Sequence, residues 1–261
     1  LRDRVRRLTT VGDAAELLSW DQQVMMPAGG TPARSKQQSA LSAVRHDLLT
    51  DEELGDLLDE LDGDVTGDRA AVVREVRREH ERAVRVPTDL VEEISALSSE
   101  ALPAWQEARE NDDFETFAPV LEELVEKKRR YAEYVDDSRD PYAVLFEEYE
   151  PYLGIDTAER VLTRLREALV PLIDDIADSD ATLAEPFSGT YDDDTQHALV
   201  QDALSTLGYD WDHGRLDTAP HPFPTGTQFD PRVPTPSHPD DPMPPVRSTT
   251  HELRHPPYTH R

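Results

Sequence analysis

Twelve of the 21 prolines in this 261-residue chain fall between Pro220 and Pro257, and no other feature limits its fold so sharply. Proline lacks the backbone donor that a helix interior needs and its ring clashes with the preceding turn, so helix is excluded over most of that stretch. From residue 1 to about residue 207 the pattern is the opposite. Apolar residues recur three and four apart, helix start signals precede them, and strand alternation is absent. The sequence therefore predicts a helical domain over residues 1–215 and an irregular Pro-rich segment over residues 216–261.

The first helix carries Val5, Leu8, Val11, Ala15 and Leu18 on one face and runs toward Trp20 and Asp21, ending before Pro27. Thr31 as cap and Pro32 at the first helical position open a second, with Ala40, Leu41, Val44 and Leu48 predicted to be buried. Thr50 with Glu53 reads as a capping box for a third, holding Leu54, Leu57, Leu58 and Leu61 inside. Further helices fit residues 66–85, 88–110, 114–137, 141–149 and 157–176, the last with Val161, Leu165, Leu169 and Leu172 at helical spacing. A final one starts near Asp194, buries Leu199, Leu204 and Leu207, and is ended by Gly208.

Without cysteine the chain forms no disulfide and no thiolate site, so a metal would be held by His and carboxylate, as suits a reducing cytoplasm. No apolar run approaches the ~18 residues of a membrane span, and the N-terminus shows no signal-peptide pattern. With 27 basic and 55 acidic residues, the net charge of -28 repels nucleic acid and anionic membranes; neither is expected as a partner. The acids are dispersed along the chain, like the surface of proteins from salt-loving organisms, where salt screens the repulsion. The start at Leu1 and the end just after a candidate motif read as the cut ends of a longer protein.

That motif is HELRH, residues 251–255. Four residues advance a helix by about 400° and about 6 Å, so His251 and His255 would project from one face toward one ion. Glu252, one step round, stands where a general base would lie beside a metal-activated water, a constellation suited to peptide hydrolysis. Val246, Ser248 and Thr249 permit a short helical lead-in, but Pro256 and Pro257 disfavour helical geometry at His255. The alternative is that both imidazoles are simply solvated, like His238 and His260.

The stretch LLSWDQQVMMPAGGTPARSKQQSALSAVRHDLLTDEELGDLL (17–58) is followed by DPYAVLFEEYEPYLGIDTAERVLTRLREALVPLI (140–173), HPF (221–223), DPRVP (230–234) and HELRH. Together and in this order they resemble the carboxypeptidase Taq family of metallocarboxypeptidases. The resemblance covers nearly all of the chain and corresponds to the N-terminal half of a member. It implies a mostly α-helical, elongated, neurolysin-like molecule with a deep groove, commonly homodimeric, that removes single C-terminal residues from peptide substrates with Zn2+ or Co2+. It implies that His251 and His255 are metal ligands, that Glu252 is the base, and that His221, Asp230 and Arg232 lie near the substrate channel. The chain departs from the family at Pro234, where DxRxT closes on threonine, and at Arg254 and the two prolines that follow. The third ligand, a glutamate on a following helix, has no counterpart here, so a non-catalytic helical relative is the alternative reading. Stability of so acidic a chain is expected to depend on salt. Helical circular dichroism should fall between about 2 M and about 20 mM NaCl, and full retention in dilute buffer contradicts this.

Overall fold

The computed structural model describes residues 1–180, 189–219, 223, 225–227 and 229–253. They form α1 (Arg2–Val24), α2 (Thr31–Thr50), α3 (Glu52–Glu60), α4 (Asp68–Ala83), α5 (Thr88–Glu110), α6 (Phe114–Asp136), α7 (Pro141–Tyr149), α8 (Ile155–Ala177) and α9 (Asp193–Thr206). After these come β1 (Arg215–Thr218), β2 (Thr225–Thr227), β3 (Asp230–Thr235) and α10 (Met243–Glu252). The mostly helical class expected from the periodicity is observed. The chain divides into two compact units, Leu1–Leu121 with Phe187–Arg261, and Glu122–Pro186.

In the first unit Leu8 of α1, Leu49 of α2, Leu54 and Leu58 of α3, and Val73 and Ala83 of α4 share one core. Leu54 and Leu58 are wholly inaccessible, as their spacing on α3 predicts. The cap of α3 is Asp51 rather than Thr50. Its carboxylate accepts from the Glu53 N–H at 2.9 Å and from Arg4 at 2.7 Å. A charged acceptor suits the positive end of a helix better than a hydroxyl. The Arg4 hydrogen bond, followed by that from Glu53, holds the Asp51 carboxyl below its ordinary range. Thr50 instead closes α2, its hydroxyl donating to the His46 carbonyl at 3.0 Å. Thr31 lies inside α2, with Gly30 as the cap residue.

The buried face of α2 differs from the predicted one. Arg34, Ser35, His46 and Leu49 are buried, whereas Ala40 and Val44 are exposed. The cause is the partner helices: the Ser42 and Ser95 hydroxyls meet at 2.8 Å, and Ser35 donates to Glu100 of α5 at 2.9 Å. Arg34 reaches α1, where it pairs with Asp21 at 2.5 Å and also donates to the Leu18 carbonyl. Gln22 and Ser99 exchange two further bonds, at 2.8 and 3.0 Å. Small hydroxyl residues let α2 and α5 approach closely, so this seam is paired by hydrogen bonds as well as by apolar burial.

The Pro-rich stretch contains ordered structure that composition did not disclose. β3 is the central strand, parallel to β1 from Arg215↔Arg232 to Thr218↔Thr235 and antiparallel to β2 from Thr225↔Arg232 to Thr227↔Asp230. Proline is rare in such a position because it donates no ladder bond. It is tolerated at the buried Pro234 because β2 pairs no further along β3 than Arg232, so no donor toward β2 is needed there. Gly226 has φ +94°, and a Cβ there would stand 1.9 Å from the Asp230 carbonyl oxygen, so only glycine fits. Val200, Leu204, Tyr209, Leu216 and Val233 form a second core, with Val246 and Leu253 packed against it. Of the α9 residues predicted to be buried, only Leu204 is; Leu199 and Leu207 are exposed, and Gly208 ends the helix at φ +86° as expected.

In the second unit Ala132, Val135 and Val144 are buried, α7 is capped by the Asp140 carboxylate, and Arg139 pairs with Glu147 at 2.8 Å. Ala158 is the one buried residue of α8. Among the described residues no helix is long and apolar enough to cross a membrane.

Truncating Leu54 or Leu58 to alanine is expected to lower unfolding free energy by about 2–5 kcal/mol in urea titrations, and a loss under about 1 kcal/mol would contradict the core assignment. Burial pushes the imidazole of His46 below its ordinary pKa. The unfolded chain binds that proton more readily, so the contribution of neutral His46 is complete above about pH 6.5 and is lost as pH falls. The thermal midpoint of His46→Gln should therefore fall less than that of the unsubstituted chain between about pH 7.5 and about pH 5.5. Equal slopes would show that His46 is not the group responsible.

Candidate functional site

Two prolines in the first turn, Pro244 and Pro245, open α10 with φ already set, and the Asp241 carboxylate accepts from the Met243 N–H at 2.9 Å. The helix docks through Pro245, Val246, Thr249 and Leu253: Pro245 and Thr249 are buried, and Val246 and Leu253 touch the second core. Thr235, the last residue of β3, brings its hydroxyl to 3.2 Å from that of Ser248. α10 is thus held by the end of the central strand. His251 and Glu252 occupy its last turn, His251 exposed and Glu252 half-buried.

His255 and His221 lie outside the described residues. Among the described residues no group of three or more His, Asp or Glu side chains could hold a metal ion. A catalytic zinc centre uses three protein ligands, and the described part of the motif contributes one imidazole beside one carboxylate. The described residues therefore do not make up a metal site by themselves.

Asp230 and Arg232 are paired along β3, with Arg232 Nε 3.1 Å and Nη2 2.9 Å from the two Asp230 oxygens. This is more than a surface ion pair, because the Arg232 side chain is only 15% exposed. Its guanidinium carbon lies 4.0 Å from the centroid of the Trp20 ring. Arg215, directly opposite in register, lies 4.9 Å from the same ring and is held by Asp217 at 2.8 and 2.5 Å. Trp20 of α1 is therefore contacted by two guanidinium groups, each neutralised by an aspartate on its own strand. Sequence patterning placed Trp20 toward the end of the first helix but offered no signal for its arginine partners. The Tyr209 hydroxyl stands 3.0 Å from the carbonyls of both Arg215 and Pro231, tying the two strands together where they start. Gly214 makes room for it: a Cβ there would fall 2.4 Å from that hydroxyl.

A groove of about 740 Å³ runs past the far ends of β1 and β3, lined by Trp105, Arg109, Asp193, Ser237 and His238 among others. Arg109 lies 5.4 Å over the Trp105 ring. Neither His251 nor Glu252 lines this groove.

The family model of the carboxypeptidase Taq (M32) metallopeptidases matches residues 1–261. Carboxypeptidase 1 of Bacillus subtilis is 30% identical over 258 residues, covering 97% of this chain and 52% of the relative. Thermostable carboxypeptidase 1 of Thermus thermophilus is 32% identical over 237 residues, covering 84% and 46%. The BsuCP crystal structure superposes with a TM-score of 0.89 at 29% identity, over 96% of this chain and 51% of that one. An M32 carboxypeptidase from Deinococcus radiodurans superposes with a TM-score of 0.80 at 32% identity, over 97% and 51%. The chain spans about half the length of the curated relatives it matches. By the match along its whole length, the chain belongs to the carboxypeptidase Taq (M32) metallopeptidase family.

Proposed function

We propose that this chain supplies one half of a metal-dependent carboxypeptidase that releases C-terminal residues from peptides. The match along the entire chain, from the α1–α2 region to the α10 motif, carries this reading. In it His251 and His255 are ligands of Zn2+ or Co2+, Glu252 is the proton acceptor, and the third ligand comes from residues beyond those present here. His221, Asp230 and Arg232 belong to the substrate channel. Arg232 acts there in a supporting role, because its Nε–Nη2 edge is held by Asp230 and its guanidinium lies against Trp20. A cytoplasmic location and a homodimer remain part of the proposal.

A second reading is a helical relative without catalysis, favoured by Pro256 and Pro257, which follow His255 at once and disfavour helical geometry at that second imidazole. Hydrolysis of a blocked dipeptide in high salt with added Zn2+ or Co2+ separates the two. The chain alone is expected to release no residue. The protein extended to the length of its relatives is expected to do so, with Glu252→Gln reducing the rate by about 10²-fold or more. An inactive extended protein favours the second reading, and an active Glu252→Gln variant removes Glu252 from the role of base.

A further inference from the structure

We propose that the apolar face of α8 is a docking surface for the half of the metallopeptidase fold that this chain does not span. Every residue of α8 beyond Ala158 is exposed. Leu162, Leu165, Leu169, Leu172 and Ile176 are exposed by 63, 49, 42, 52 and 60% and recur at alternating spacings of three and four. They fall on one stripe about 80° wide, while Arg160, Arg164, Glu167 and Asp174 lie on the opposite side. Such a helix is patterned to be covered on one side only. With the flanking Val161 and Ile173 the exposed aliphatic surface is on the order of 700 Å², close to one partner's share of a standard interface. A free-standing protein rarely leaves so large an apolar patch exposed. The exposure begins ahead of the helix, with Tyr149 at 82% and Tyr152 at 65%.

The solved relatives indicate the occupant. They share this fold over 96–97% of the present chain, yet the chain accounts for only 51% of theirs. The same helices are therefore built in those proteins next to a second portion of similar length. A helix from that portion, carrying its own aliphatic stripe, would lie along α8 with side-chain ridges in grooves. The proposal rests on family membership and not on the roles of His251 and Glu252, so it can fail while the metal reading holds, and the reverse.

The test co-expresses the chain with the part of Bacillus subtilis carboxypeptidase 1 that it does not match, followed by sedimentation velocity and amide hydrogen exchange. A one-to-one complex is expected, with exchange across residues 161–176 slowed about tenfold or more and that of α3 unchanged. The double substitution Leu165→Glu/Leu169→Glu, at exposed positions, is expected to abolish the complex while leaving helical circular dichroism intact. Failure to form a complex, a complex in which α8 exchanges as fast as before, or a homodimer through α8 that excludes the added portion would each overturn the proposal.

Discussion

Arg215 and Arg232 both lie against the Trp20 ring, and this contact fixes α1 against the sheet that carries the rest of the candidate site. Each cation–π contact contributes about 0.5–2 kcal/mol, more where water is excluded, and Trp20 is 5% exposed. The aspartates Asp217 and Asp230 neutralise the two guanidinium groups and hold them flat along their strands, so neither cation is brought near the ring without its counter-charge. β3 continues from this contact to Thr235, whose hydroxyl meets that of Ser248 on α10. The position of His251 and Glu252 is thereby set by a series of short contacts that begins at α1, far away in sequence.

The sequence made the helices plain where burial is apolar. α5 and α7 match their expected bounds, and Leu54 and Leu58 are inaccessible as their spacing requires. It misdirected the reading of α2 because that helix buries Arg34, Ser35 and His46 against hydroxyl and carboxylate partners on α1 and α5. Hydrophobic periodicity does not register a seam built from serine. The sheet was hidden for a different reason: Pro231 and Pro234 sit in its central strand, where proline argues against strand assignment. The short reach of β2 makes Pro234 acceptable.

Of the candidate site, the HELRH motif was legible as a spacing and its lead-in as a helix with prolines at the start, which is how α10 begins. The stacking of Arg232 on Trp20 was not legible, because no local pattern connects a tryptophan on α1 with an arginine on β3. An ion needs groups from several elements at once, and the described residues provide His251 and Glu252 alone at this motif. The chain spans about half the length of its curated relatives, and the apolar face of α8 is exposed.

The central claim is that His251, held on α10 by the β3 contact, is a metal ligand. Zinc titration followed through the imidazole resonances of the nine histidines tests it most directly. The account predicts a perturbation of His251 while the buried His46 is unmoved. A titration that leaves His251 unchanged, or that shifts only His213 or His238, would contradict it.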